Sequence, residues 1–327
     1  MEAMRVLITG GTGFIGRRLG ALLLQRGHAV RLMGRSFAPV ADLLAAGAEA
    51  ARADLRDPAA VAAACEGVDV VCHAGALSAP WGRRADFLAV NVDGTANVIA
   101  GCRRHGVRRL VAISSPAVVF AGRDVVDATE DAPYPRRFSS AYALSKKLAE
   151  DLLRVAADVP TVILRPKAVF GPGDEALLPR LVVAARAGRL PRIGHGRNLV
   201  DLTYVDNVAH AIELALTAER AVGRTYTITN GEHVPLWELV RSVLGRLGVP
   251  ARLRPVPLGL MLAVAALMEA RAALTGREPL LTRYTVAILA RTQTYDISAA
   301  RRDLGYAPLV SVAEGVERTL AALGAAP

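Results

Sequence analysis

Three features of this 327-residue chain predict an α/β fold built on a doubly wound parallel sheet. Short, β-branched apolar runs alternate with amphipathic helical stretches through the first half. A glycine-punctuated turn, Gly10-Gly11-Thr12-Gly13-Phe14-Ile15-Gly16, joins the first such run to the first helix. No internal repeat, charge run or flexible linker interrupts the alternation. Parallel strands need crossover connections, and helices between successive apolar runs supply them with the favoured right hand.

The elements follow in order. Residues 5–9 read as a strand, 14–26 as a helix and 29–33 as a second strand. The run 68–73 is another strand, followed by a helical segment around 87–105. A strand over 109–114 comes next, then a helix from about Ser140, with Ser139 or Ser140 as N-cap, and a strand over 161–165. Beyond Phe170, Gly and Pro punctuate shorter segments, with helices near 177–187 and 235–247. This divides the chain into a dinucleotide-binding domain over 1–169 and a smaller C-terminal substrate lobe over 170–327. The two are expected to be partly interleaved in one compact body.

Composition narrows the function classes. A hydrophobic fraction of 52% excludes a disordered or collagenous chain. The 40 Lys+Arg against 30 Asp+Glu give a net charge of +10, which raises nucleic acid or a membrane surface as partners. No basic run interleaved with aromatics occurs, so nucleic acid is not expected. Cys65, Cys72 and Cys102 form an odd set without metal spacing, which suits a reducing cytosol and a cytoplasmic protein. Strand-like residues begin almost at once, so no signal peptide is expected. The apolar run 258–268 is about eleven residues long, where a spanning helix needs about twenty. Pro257 suits a first helical turn, and Glu269 and Arg271 end the run. A buried helix is the expectation; a dimer surface, a wall for a greasy substrate or peripheral membrane contact are the alternatives.

The glycine loop sits where a βαβ unit holds a dinucleotide. Gly10, Gly13 and Gly16 allow a tight turn, close backbone approach to a pyrophosphate and close helix–strand packing. The N–H groups at the helix start, including those of Phe14 and Ile15, then face the phosphates. This makes the sheet Rossmann-type. An NAD site places Asp or Glu at the end of the second strand, but here the chain runs Arg31-Leu32-Met33-Gly34-Arg35-Ser36. With no carboxylate there, Arg35 and Ser36 are read as holding a 2′-phosphate, which favours NADP(H) over NAD(H).

Tyr142-Ala143-Leu144-Ser145-Lys146 carries the chemistry. Positions i and i+4 share a helix face, so the phenol and the ammonium enter one space. The cation favours the phenolate and can also hold ribose hydroxyls. Only Lys146, Lys147 and Lys167 are lysines, so this spacing is hard to obtain by chance. Ser115, beside Ser114 at a strand end, is read as holding the substrate oxygen, with Ser114 as the fallback. Lys147 and Lys167 read as solvent-facing or packing residues, and His73, His195 and His210 lack metal-like spacing.

Across essentially its whole length the chain resembles the extended short-chain dehydrogenases/reductases. The matching pieces are residues 9–16, Asp54-Leu55, His73-Ala74-Gly75, Asn91-Val92-Asp93-Gly94-Thr95, Ser114-Ser115, Tyr142 with Lys146, and Leu164-Arg165-Pro166. The resemblance implies that Asp54 and Leu55 flank the adenine, that His73, Ala74, Gly75 and Asn91 belong to the cofactor site, and that Pro166 and Val169 lie near the nicotinamide. It also implies that Tyr142 is the proton donor or acceptor and that Ser115 orients the carbonyl. Nucleotide-sugar enzymes of this family carry an arginine where this chain has Val200, directly before Asp201, which argues against a diphosphate substrate unless Arg197 takes over.

The remaining features resemble the 3β-hydroxysteroid dehydrogenase-like branch, and within it the bacterial 2-alkyl-3-oxoalkanoate reductases of olefin biosynthesis. Pro80-Trp81-Gly82, Phe170-Gly171-Pro172-Gly173-Asp174 and Glu278-Pro279-Leu280-Leu281-Thr282-Arg283 carry that resemblance. It implies an NADPH-dependent ketoreductase of lipid metabolism acting on a hydrophobic small molecule, with Trp81, Ser115 and Tyr142 at the substrate. A homodimer, possibly within a pathway complex, is expected from the family. The rivals are a sterol-type 3β-hydroxysteroid dehydrogenase and a non-catalytic NADP(H)-sensing protein.

Overall fold

The computed structural model describes residues 3–174, 178–250 and 253–324. The first half runs β1 (Arg5–Thr9), α1 (Phe14–Gln25), β2 (Ala29–Gly34), α2 (Ala41–Ala45), β3 (Glu49–Arg52), α3 (Pro58–Ala64), β4 (Val70–His73), α4 (Arg84–Leu88), α5 (Gly94–His105), β5 (Arg109–Ile113), β6 (Val125–Ala128), α6 (Ala141–Val155) and β7 (Thr161–Pro166). The lobe adds β8 (Val169–Phe170), α7 (Leu178–Arg186), β9 (Arg192–Ile193), β10 (Leu199–Asp201), β11 (Thr203–Tyr204), α8 (Val205–Ala215), β12 (Thr225–Ile228), β13 (His233–Pro235) and α9 (Leu236–Arg246). It ends with β14 (Pro255–Val256), α10 (Leu258–Thr275), α11 (Arg283–Ala290), β15 (Gln293–Tyr295), α12 (Ser298–Leu304) and α13 (Val312–Ala322). Residue 177, the first of the helix expected over 177–187, lies outside the described residues.

Seven strands form one parallel sheet in the order β12-β7-β5-β4-β1-β2-β3. The chain order reverses between β1 and β4, so a crevice opens at their C-terminal ends, where ligands bind in such sheets. Successive side chains of a strand point to opposite faces, so each strand feeds two cores. Val6 and Ile8 of β1 pack with α1 and α8 on one face. Leu7 packs with α3 and α5 on the other. Strand β12 comes from the second half of the chain and completes the sheet edge beside β7. The lobe has its own core around Trp237, Leu244, Met261 and Val286.

Two sequence expectations change in detail. The helix expected over 87–105 is two helices, α4 and α5, joined by a single π turn at Ala89–Asp93. The buried helix expected at 258–268 is instead an 18-residue helix with a mostly exposed surface. Only Met261, Ala265 and Ala272 are buried, a seam at near-helical spacing that faces the lobe core and α11. The charges that read as a stop do not end the helix, because Glu269 pairs with Arg283 at the start of α11 (2.7 Å). Among the described residues, α10 is the one helix long and apolar enough, by length and composition, to cross a membrane.

Candidate active site

The glycine loop forms the floor of a groove of about 260 Å³ at the strand-order reversal. Gly10 adopts φ +65°, and a Cβ there would lie 2.6 Å from the Cα of Gly75. A Cβ on Gly16 would lie 2.2 Å from the Gly10 carbonyl oxygen. Backbone occupies both places, so a side chain at either would push the loop apart. Gly13 caps α1 without a side-chain hydrogen bond, and the first turn carries no acid. The cradle and the uncapped helix start fit a pyrophosphate.

Arg35, Asp54, Leu55 and Gly75 line this groove, and Ser36 is exposed beside it. Asp54 is committed to Arg56, whose guanidinium donates to both its oxygens and draws its pKa down to about 2. His73 lies beneath the groove rather than on it. Its ring sits between the hydroxyls of Thr9 (2.7 Å) and Thr95 (3.0 Å), and burial, with Lys146 nearby, pushes its pKa down to about 3. The neutral ring ties β1 and β4 to α5. Ala74 is half-buried and packs on the core.

Asn91 also acts from beneath. Placed by the π turn, its Oδ1 accepts from the Leu77 N–H (2.7 Å), while its Nδ2 donates to the Leu77 carbonyl (3.0 Å) and to Ser145 Oγ (2.9 Å). The residue therefore clamps the 74–82 loop to the helix carrying Tyr142. Pro166 ends β7 beside Ile228, and Val169 pairs with Thr203 after a strained turn at Ala168 (φ +43°).

Ser140, not Ser139, caps α6 by accepting from the Ala143 N–H (3.1 Å). The serine pair after β5 divides its tasks. Ser114 donates to Glu150 (2.6 Å) and is buried, whereas Ser115 stands at the Tyr142 phenol. Ser78, which sequence reasoning missed, stands at the same phenol from the other side loop. Burial raises the Tyr142 pKa, and the two serine hydroxyls draw it partly back.

Lys146 Nζ donates to the Ile113 carbonyl (2.6 Å), and burial lowers its pKa to about 8 against the opposing field of Glu150. Glu150 accepts from Arg165 (2.6 and 2.8 Å), Ser114, Tyr134 (2.9 Å) and Arg154 (2.9 Å). Burial alone would raise this carboxyl; Arg165 outweighs it and holds the pKa below the ordinary range. The network fastens α6 to β5 and β7.

A second cavity, of about 530 Å³, opens over Tyr142. Trp81, Phe87, Phe138, Leu262 and Tyr284 give it apolar walls, and Arg137, Glu269 and Arg283 give it charge. Arg283 is tied to Glu269, but Arg137 has no ion pair among the described residues. Sequence reasoning missed Arg137, which comes from the irregular segment before α6, whereas Arg283 lies in the 278–283 string at the start of α11.

The remaining candidates stand apart. Val200 is buried in an apolar cluster with Phe170 and Tyr204, and Arg197 is exposed and lines neither cavity. Lys147 pairs with Asp151 at the surface (2.5 Å). Lys167 takes the packing alternative: it donates to Gln293 (2.6 Å), and burial lowers its pKa to about 8. No cluster of His, Cys, Asp or Glu able to hold a metal occurs among the described residues.

Residues 7–258 match the 3-beta hydroxysteroid dehydrogenase/isomerase family. The 2-alkyl-3-oxoalkanoate reductase of Stenotrophomonas maltophilia (strain K279a) is 40% identical over 332 residues, covering 98% of this chain and 100% of that protein. The decarboxylating sterol-4-alpha-carboxylate 3-dehydrogenase of Mus musculus is 33% identical over 334 residues, covering 98% and 91%. A double mutant of the dTDP-glucose 4,6-dehydratase from Streptomyces venezuelae, solved with NAD bound, superposes with a TM-score of 0.79 at 26% identity, covering 98% and 97%. The chain belongs to the 3-beta hydroxysteroid dehydrogenase/isomerase family and is an NAD(P)-dependent oxidoreductase of the short-chain dehydrogenase/reductase type.

Proposed function

We propose that this protein is an NADPH-dependent ketoreductase that reduces a 2-alkyl-3-oxoalkanoate to the 2-alkyl-3-hydroxyalkanoate. The observation that carries the reading is the apolar cavity over Tyr142 with the unpaired Arg137 at its wall. Apolar walls suit alkyl chains, and a free guanidinium suits a carboxylate. The names of the bacterial and mouse relatives share one chemical unit. In each, an oxygen function sits on the carbon next to a substituted, carboxylate-bearing carbon. Arg137 suits that unit in either skeleton.

The preference for NADPH is supported at the end of β2. The last residue of that strand is Gly34, where NAD sites carry an acid. A Cβ there would lie 2.7 Å from Thr12 Cγ2 and 2.8 Å from its Oγ1, so an acid would have to displace Thr12. Arg35 stands exposed next to it, and Arg52 reaches the Arg35 carbonyl (3.3 Å). The Arg35 guanidinium on the groove, with Arg52 held against its main chain, supports the reading of a 2′-phosphate there.

The bound nicotinamide supplies the hydride for the 3-oxo carbon. Tyr142 gives the proton to the carbonyl oxygen, and its raised pKa keeps it protonated at neutral pH for that task. Ser115 and Ser78 hold the phenol and the oxygen it serves. Lys146 remains largely charged near neutrality and holds ribose hydroxyls. Three buried, free cysteines suit a reducing cytosol.

NADPH absorbance tests the reading, with a 2-alkyl-3-oxo acid and a 3-keto steroid as substrates and NADH as the comparison. The acid should be consumed, and faster with NADPH. Turnover of the steroid alone would give the site to the sterol reading. Turnover of neither, alongside tight NADPH binding, would make the protein a sensor.

A further inference from the structure

We propose that Tyr284 is a specificity-determining residue: its phenol donates a hydrogen bond to the substrate carboxylate beside Arg137, and so selects 3-oxo acids over ketones without the acid group. This role rests on the ketoreductase reading and deepens it. Tyr284 lines the cavity over Tyr142 together with Arg137. Its hydroxyl has no hydrogen-bond partner among the described residues, although its ring packs edge-on against Phe120 (centroids 6.3 Å apart, planes at 67°). The backbone that carries it is fixed as well. Thr282 caps α11 by accepting from the Thr285 N–H (3.1 Å), and the Thr285 hydroxyl accepts from the Thr282 N–H (3.0 Å). The Arg283 N–H donates to Glu269 (2.7 Å). A donor anchored in an apolar cavity without a protein partner suits a ligand acceptor, since a few such groups fix a ligand's orientation.

The chemistry of a 3-oxo acid decides what this phenol meets. Its carbonyl oxygen goes to Tyr142, whose phenol Ser115 and Ser78 attend. The carboxylate hangs from the neighbouring carbon, so it lies close beside that oxygen. Burial raises the Tyr284 pKa and the nearby Tyr142 phenol adds to it, so Tyr284 stays a protonated donor throughout the neutral range. A carboxylate offers about four acceptor sites, of which a bidentate guanidinium fills two. The phenol can therefore take another without displacing Arg137, in a bond that a charged acceptor strengthens. The Ser139 hydroxyl, also unpaired on this wall, is sealed in protein and does not compete. A ketone without the acid group would strip water from Arg137 and Tyr284 and return nothing, which is how a polar site rejects such an analogue.

Steady-state kinetics of Tyr284→Phe test this, with a 2-alkyl-3-oxo acid and with the ketone that loss of its carboxylate leaves. Phenylalanine keeps the ring against Phe120, so NADPH affinity and Tm should match the wild type. For the acid, KM should rise about tenfold while kcat changes by less than about twofold, the mark of a lost binding contact. The ketone, read as a substrate or as a competitive inhibitor of acid reduction, should bind both proteins alike. An unchanged KM for the acid, or an equal loss for acid and ketone, overturns the proposal and leaves the ketoreductase reading standing. Failure of the wild type to consume the acid overturns that reading, and this role with it.

Discussion

The glycine-loop groove and the cavity over Tyr142 are built by different means. The groove is made of backbone: Gly10, Gly16 and Gly75 approach so closely that a single Cβ would meet a main-chain atom. The cavity is made of side chains from distant parts of the chain, with Trp81, Arg137, Leu262 and Tyr284 on four separate segments. A backbone cradle suits a ligand with one fixed shape. A side-chain cavity walled by an exposed helix suits a variable, apolar one. Between them, α6 is held rigidly by Glu150, Arg165 and Ser114.

Substitutions should separate these parts, beginning with the cavity. Tyr142→Phe should lower kcat by about 10²–10⁴-fold, the usual worth of a positioned proton donor, while NADPH affinity is unchanged. Steady-state rates and a fluorescence titration of NADPH check both halves of that statement. Glu150→Ala comes next, because it strands the buried Arg165 guanidinium without its partner. It should cost about 3–5 kcal/mol in a denaturant melt. On the groove side, Gly16→Ala should cost about 1–3 kcal/mol of NADPH affinity or stability, since one methyl must displace the Gly10 carbonyl.

A smaller effect comes from pH. Lys146 titrates at about 8, so its ammonium is intact below that value and is lost as pH rises through it. Replacing a charged donor by a neutral one should weaken NADPH binding by about 1 kcal/mol across that window, and titrations at several pH values would detect it. A flat profile up to pH 10 would leave the ribose contact to another group. At the lobe's outer face, Leu267→Ala should change stability by less than about 0.5 kcal/mol, because that leucine packs on little. Comparable damage from Leu267→Ala and Gly16→Ala would erase the contrast between the two regions.

Legibility in the sequence followed the same division. The glycine loop, the Tyr142–Lys146 spacing and the parallel sheet are local or periodic features, so the order of residues carries them. The two serines after β5 could be ranked from register, but the bond from Ser114 to Glu150 is what sets them apart. Asn91 was legible as part of the site; its hold on Leu77 was not, because the π turn that aims it leaves no plain sequence mark. Ser78 and Arg137 come from irregular loops, which no periodicity reports. Apolar runs as short as 258–268 are usually buried, so the sequence points to a buried helix there. Its exposure depends on which side α11 covers, a tertiary fact.

The central claim is that the cavity over Tyr142 presents the 3-oxo carbon of an apolar β-keto acid to a hydride from NADPH. Its most direct test is turnover of a 2-alkyl-3-oxo acid with NADPH carrying deuterium at both C4 positions, read by mass spectrometry of the product. The account predicts a 2-alkyl-3-hydroxy acid with a single deuterium at C3. Product without deuterium, or the oxo acid recovered unchanged from active-site-saturating NADPH, would contradict it.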